Sequence, residues 1–278
     1  MSEELALPDD DVVAEPPVID TSIPHSARVY DYVLGGKDNY PVDREAAEQM
    51  LSGWPNLRTS MRENRKFMHR ATRYAAEQGI DQFLDIGTGI PTSPNLHEIA
   101  QAVNPAARVV YVDNDPIVFV HAAARLTGTP EGVVSYLRAD MHDAEAILAS
   151  PEVTGTLDLS RPVALSVIAV LQFVPDKEVA YDLVRRYVDR LAPGSLLTIT
   201  TVTTNTDPDD AGTVTAEYTQ RGIPVRDSTR EEVEPFFADL ELVEPGITLI
   251  HRWHPEPGTE DDVEDSEVGM YAAVGRKP

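Results

Sequence analysis

Cysteine is missing from all 278 residues, which excludes disulfides, thiolate nucleophiles and cysteine-ligated zinc within the chain. Any apolar run near the length of a bilayer span is also missing, and the N-terminus shows no charged-then-apolar leader. The expectation is therefore a soluble, cytoplasmic protein without a membrane partner. Basic charge is scarce: 23 Lys and Arg stand against 47 Asp and Glu, a formal charge of −24. Such a balance argues against a nucleic-acid backbone as the main partner. The acidic excess is uneven. Residues 1–15 hold six acids and no base, residues 256–267 hold seven acids and no base, and the rest of the chain carries −11. Both segments have prolines and few apolar anchors, so they read as an acidic tail over 1–18 and a solvated insert over 256–267. What is abundant is apolar surface, at 42% hydrophobic residues, enough for one large domain with an added cap.

In "HSARVYDYVLGGKDNYPVDREAAE", Ser26 is the expected cap of a short helix through Val33, ended by Gly35–Gly36, with a second helix from about Asp43. Helical spacing of Leu57, Met61, Phe67, Met68 and Tyr74, closed by Gly79, predicts a long amphipathic helix. These make a helical cap or lid over 19–79, ahead of a domain over 80–278. From Gln82 onward strands alternate with helices. Strands are expected at 82–86, 108–112, 133–138, 162–170 and 195–202, and helices at 94–103, 116–126, 143–149 and 176–191. That order predicts an α/β fold, a doubly wound and mostly parallel sheet. A helix at 229–238, strands near 240–250 and a last strand at 268–276 complete it, the late strands forming an antiparallel pair at the sheet edge.

Ligands of such sheets bind at the carboxyl ends of the strands. Gly87 and Gly89 of "FLDIGTGIPTSPN" fall just past the first strand, and glycine there lets the backbone turn sharply and approach a ligand. A lone pair of glycines also suits an ordinary strand-to-helix turn. The dinucleotide fingerprint needs a small residue where Thr92 stands, and Pro91 removes a backbone donor. Ser93–Pro94 reads as an N-cap with proline at the first helical position, so the helix starts late, after a wider loop that suits a bulkier group than pyrophosphate. Asp113 ends the second strand, 24 residues beyond Gly89, and Asp140 ends the third. A carboxylate at the first position can accept from both ribose hydroxyls, and one at the second from an adenine amino group. Either acid alone could be a helix cap; three strand ends in succession point to nucleoside binding.

The motifs "FLDIGTG", "YVDNDP" and "RADMHD" resemble those of Rossmann-like (class I) S-adenosylmethionine-dependent methyltransferases over roughly residues 60–276. "SARVYDYVLGGKDNYPVDREAAE", "RENRKFMHRA", "QFLDIGTGIPT" and "RVVYVDNDP" are similar to an actinobacterial group with unassigned substrates, in which Pro91 is usual. The resemblance implies S-adenosylmethionine as cofactor, with Gly87, Thr88 and Gly89 against its methionine portion. Asp85 would hold the turn or meet the amino group, Asp113 the ribose, Asn114 the adenine side, and Asp140 with the backbone of Met141 the adenine edge. Gln172 would lie near the methyl group, although relatives often carry Leu-His where this chain has Leu171–Gln172. Arg62, Asn64 and Arg65 could bind the cofactor carboxylate, Arg65 foremost, or simply form the solvated face of their helix.

A small-molecule acceptor is expected, and Tyr30, Tyr32 and His25 are the candidates for a general base if one is used. Tyr30, Tyr32 or Asn39 could reach the pocket if the N-terminal segment is a lid; a packed, helix-ending loop is the simpler reading. Gly36–Lys37 is not a phosphate loop, because Asp38 stands where Ser or Thr is required. A non-catalytic cofactor-binding sensor is the alternative, followed by a nicotinamide-dependent oxidoreductase. His251 and His254 lack a third ligand, so no metal is expected. His97 and His121 read as surface or packing residues. The stretch "TTVTTNTDPDDAG" reads as the fifth strand running into a loop, a place for substrate contacts.

Overall fold

The computed structural model describes residues 20–118, 127–260 and 262–278. The acidic tail over 1–18 and most of the helix expected at 116–126, His121 included, lie outside them. Three helices come first: α1 (Ser26–Val33), α2 (Pro41–Gly53) and α3 (Leu57–Glu77). The cap of α1 is His25, whose Nδ1 accepts from Ala27 N at 3.4 Å, so Ser26 is the first helical residue instead of the cap. In α2, Asp43 is not the start but the third residue. Its carboxylate accepts the Tyr40 N–H at 2.8 Å in a capping box, and Pro41, lacking a donor, suits the first turn.

α3 buries Leu57, Met61, Phe67, Ala71 and Ala75 along one stripe. Its first half belongs to the cap, while its second half packs on the sheet with Phe83 and Tyr111. Arg70 near its C-terminal end donates to the carbonyls of Trp253 (2.9 Å) and Ile250 (2.7 Å), clamping the last part of the chain to the same helix.

Strands β1 (Gln82–Ile86), β2 (Arg108–Asp113), β3 (Val133–Arg138), β4 (Ala164–Ile168) and β5 (Leu196–Val202) are parallel, in the order β3-β2-β1-β4-β5. The order reverses between β1 and β4, which opens a crevice beyond the carboxyl end of β1. Every residue of β1 is buried. Phe83 enters the core under α3 and α4 (Leu96–Val103), whereas Leu84 enters the opposite core with Ile147 and Leu183. Those two residues come from α5 (Ala144–Ala149) and α7 (Lys177–Asp189), which share that face with α6 (Pro151–Thr156).

The late strands are antiparallel at the sheet edge, as expected. β8 (Met270–Arg276) pairs antiparallel with β5 along all seven residues of each strand, and the short β6 (Glu241–Leu242) and β7 (Thr248–Leu249) pair with its other side. The last strand thus lies between β5 and the short edge strands. The helix expected at 229–238 is split into α9 (Arg230–Val233) and a 3₁₀ turn over Glu234–Phe237, where Pro235 supplies no N–H. Residues expected to form a loop after β5 instead build α8 (Pro208–Gln220). Its Ala211, Val214 and Tyr218 complete the cap core with Val29, Met50 and Trp54.

Ser93–Pro94 does not start α4. Asn95 caps it, in a reciprocal box with Glu98, and the Ser93 hydroxyl donates to Glu98 Oε1 at 3.1 Å. The late start of the helix stands; its cap moves two residues on. In the acidic insert, Glu256 pairs with Arg73 (2.6 Å), Asp265 with Arg252 (2.5 Å), and Val263 packs on the core. Among the described residues no helix is long and apolar enough to cross a membrane.

Candidate functional site

A cavity of about 480 Å³ lies between the carboxyl edge of the sheet and the cap. Its sheet wall begins with the turn after β1, where the N–H groups of Gly87 and Thr88 both donate to Val112 O (2.8 and 3.2 Å). Gly87 (φ +73°) and Gly89 (φ +68°) both adopt the left-handed region that favours glycine. They do so for different reasons. A Cβ on Gly87 would stand 2.2 Å from Val170 Cγ1, whereas one on Gly89 would meet nothing within 4 Å. Gly87 is a packing requirement, and Gly89 fronts open space.

Asp113 at the end of β2 accepts from Gly89 N (2.8 Å) through one carboxylate oxygen and from Asp115 N (2.9 Å) through the other. Burial raises its carboxyl above the ordinary value, against those two N–H groups. Asp85 is buried under the turn, and desolvation pushes its carboxyl up to about 7; Thr88 opposes this and the Asp113 charge adds to it. Asp140, past β3, is more open. Burial opposes its ionisation, but hydrogen bonds from His142 (N at 3.0 Å, Nδ1 at 2.6 Å) and from Asn114 outweigh that and hold its carboxyl below the usual range.

All ten residues expected to hold the cofactor line this cavity: Asp85, Gly87, Thr88, Gly89, Asp113, Asn114, Asp140, Met141, Gln172 and Arg65. Arg65 reaches it from α3, and its Nη2 donates to the carbonyls of Thr92 (2.5 Å) and Pro94 (2.9 Å), pinning the proline-bearing loop. Gln172 sits in a 3₁₀ turn over Leu171–Phe173, and its Nε2 donates to Ala169 O at 2.7 Å. Arg62 is exposed on the other side of α3.

The candidate bases fare differently. Tyr32 directs its hydroxyl to Glu48 Oε1 (2.5 Å) at the exposed surface, because two residues along α1 turn it to the side opposite Tyr30. Tyr30 lines the cavity, but its hydroxyl donates to Met61 O (3.1 Å) and accepts from Asn64 Nδ2 (3.0 Å). Burial raises its pKa further, so it keeps its proton and is unsuited to act as a base. His25 lines the cavity beside the β2 motif, with Nδ1 3.1 Å from Asp115 Oδ2. Asn39 is buried away in the cap, donating to Asp31 Oδ2 (2.7 Å) and accepting from Arg44 Nε (2.7 Å). It is a structural residue of the "GGKDN" loop.

His251 pairs with Asp265 (3.2 Å) and His254 with Glu244 O (2.7 Å), so the two histidines do not converge. His97 is buried, hydrogen-bonded to Tyr111 (2.9 Å). Among the described residues no three His, Asp or Glu side chains are grouped to hold a metal.

Sequence reasoning missed the cap wall: Trp54, Leu57, Phe173, Val214 and Tyr218 line the cavity as well. Trp54 and Tyr218 come from segments far apart in the chain, and no local pattern links them. It also missed His142, for which the spacing in "DMHD" was a usable signal, since an Asp two residues before a donor commonly forms an Asx turn.

Strand order, glycine turn and acids at three strand ends define a Rossmann-like nucleoside-binding α/β protein. The family described as S-adenosyl methyltransferase matches residues 13–278, and the chain belongs to that family. It is accordingly an S-adenosylmethionine-dependent methyltransferase. It is similar to a DUF574-family protein from Streptomyces avermitilis MA-4680, with 53% identity, a TM-score of 0.91, and coverage of 94% of this chain and 100% of that one. It is also similar to a protein from Thermobifida fusca YX provisionally named a methyltransferase, with 42% identity, a TM-score of 0.86, and coverage of 95% and 99%. No curated protein matches the chain.

Proposed function

We propose that the cofactor lies along the carboxyl edge of β1, β2 and β3, and that its methyl group passes to a small molecule held under the cap. The carrying observation is the convergence of the ten strand-end, turn and α3 residues on one cavity of about 480 Å³. The donor and acceptor set fits S-adenosylmethionine. Asp85, buried and reluctant to ionise, would be relieved by an ammonium group; Asp113 keeps lone pairs for two ribose hydroxyls; the open space before Gly89 admits the chain between them. Asn114, Asp140 and the Met141 backbone would read the adenine edge, and Arg65 would offer positive charge to the carboxylate.

When bound, the cofactor supplies a methyl group already activated on a sulfonium. The protein's part is alignment and exclusion of water. No basic side chain is required unless the acceptor must lose its proton early, which accords with Tyr30 being held protonated. A small acceptor fits a cavity closed in by cap side chains, and the net charge of −24 disfavours a nucleic-acid acceptor. A cytoplasmic location fits the cysteine-free sequence.

The test is transfer of labelled methyl from S-adenosylmethionine into metabolite extracts. Incorporation into a low-molecular-weight product is expected. Tight cofactor binding without any transfer would instead support a non-catalytic sensor, and incorporation only into RNA, DNA or protein would overturn the small-molecule reading.

A further inference from the structure

By sequence His25 belongs to the cap, yet its side chain is tied to the sheet wall. Building on the cofactor reading above, we propose that His25 completes the nucleoside subsite. The free edge of its ring, Nε2, hydrogen-bonds to a ribose hydroxyl that Asp113 holds from the other side.

The ring is fastened along one edge only. His25 N donates to Asp43 Oδ1 at 2.9 Å, which fixes the backbone. Nδ1 lies 3.1 Å from Asp115 Oδ2 and 3.4 Å from Ala27 N. Among the described residues no group bonds Nε2, on the far edge of the ring. The side chain is 33% exposed and lines the cavity, so a ligand can meet that edge.

Its surroundings set it at the nucleoside end of the cavity. Asp115 stands two residues beyond Asp113 in "VDNDP". Arg28 Nε, one turn along α1 from His25, lies 3.5 Å from the same Asp115 oxygen and holds α1 against the β2 motif. Ala27 packs with Ile90 and Ile117, which follow the Gly89 turn and that motif. Burial raises the Asp113 carboxyl, and His25 is close enough to act against that rise. Both side chains line the same cavity.

Helix capping does not account for a histidine here. Ser, Thr, Asp and Asn are the favoured N-caps, and any of them would serve α1 through one polar atom. What histidine adds is the second nitrogen. A ribose hydroxyl suits it, because a hydroxyl both donates and accepts and therefore pairs with Nε2 in either tautomer. A hydroxyl that gives its proton to Asp113 still has lone pairs for an N–H from the ring.

Calorimetric titration of the full chain with S-adenosylhomocysteine and with methylthioadenosine, which keeps the nucleoside and lacks the amino acid, tests the inference. His25→Asn keeps a polar atom where Nδ1 stands and a favoured N-cap, but removes Nε2. It should weaken both ligands by the same factor, about tenfold, while the denaturation midpoint of the free protein holds. A second arm uses wild type and so stands even if the variant fails to fold. Diethyl pyrocarbonate, which acylates accessible imidazole nitrogens, should modify His25, and methylthioadenosine should block the modification where homocysteine does not. Unchanged affinity for both ligands in folded His25→Asn, or an unreactive or unprotected His25 in wild type, would overturn the inference. So would a loss confined to S-adenosylhomocysteine, which would move the ring to the amino-acid end of the cofactor. Wild type that binds S-adenosylhomocysteine but not methylthioadenosine would overturn it too. Failure of wild type to bind S-adenosylhomocysteine would overturn the cofactor reading itself.

Discussion

Along the sheet edge the cavity wall consists of groups that are more stable in water than where the fold puts them. Asp85 and Asp113 are raised by burial, and two glycines hold left-handed turns. Across from them the cap wall is apolar and packs with its own core, in which Trp54 and Tyr218 are almost fully buried. One wall carries a free-energy cost that a ligand can offset; the other is a stable surface that a ligand can only fit. Ligand binding should therefore stabilise the protein chiefly through the sheet wall, while damage to the cap should be felt first as lost folding.

The largest effect is expected where the walls are tied together. Arg28, 3% exposed, lies 3.6 Å from Asp43 Oδ2 through Nη1 and 3.5 Å from Asp115 Oδ2 through Nε. Arg28→Leu leaves two buried carboxylates without their cation and should cost about 3–5 kcal/mol in chemical denaturation. A loss below about 1 kcal/mol would show that the cap is held by packing alone.

Asp85 sharpens the contrast from the other side. Its carboxyl, normally near 3.8, stands at about 7 in the folded protein. The folded state therefore holds a proton that the unfolded chain releases between those values, so stability of the free protein declines as pH rises through that window. Asp85→Asn should remove the decline and raise stability at pH 8 by about 4 kcal/mol at most, while weakening cofactor binding. In wild type, cofactor affinity should rise as pH passes about 7, with proton release visible in buffers of different ionisation enthalpy. A flat pH profile for both would remove Asp85 from the site.

The two glycines give the smaller, paired test. Gly87→Ala forces a methyl into Val170 as well as an unfavourable φ, and should cost about 3 kcal/mol in stability. Gly89→Ala meets only the φ penalty, about 1 kcal/mol, yet places a methyl in the space proposed for the cofactor. Thermal melts with and without S-adenosylhomocysteine separate the two, and equal behaviour would contradict their different surroundings.

The legible parts of the molecule share one property: their signal is local. β1 through β5 show as short apolar runs, and Asp113 and Asp140 are marked by standing at strand ends. Nine of the ten candidates meet because a parallel sheet brings strand ends and the turns after them to one edge, and Arg65 joins them from α3. Most of what stayed hidden depends on partners distant in sequence. Residues 208–220 became a helix because α2 offers an apolar face, and Tyr30 lost its candidacy as a base through Met61 and Asn64, a helix away; the cap of α4 is the exception, set locally by Glu98 three residues beyond Asn95. Tyr32 and Asn39, near neighbours of Tyr30 in a tempting motif, point elsewhere for reasons only the packing supplies.

The central claim is that the sheet wall, through Asp113, holds the nucleoside. Calorimetric titration with S-adenosylhomocysteine of wild type, Asp113→Ala and the outward-facing control Tyr32→Phe tests it most directly. Stoichiometric binding to wild type and the control, and a loss of about 100-fold or more in Asp113→Ala, is the expected result. Wild-type affinity in Asp113→Ala, or no binding to wild type, would contradict it.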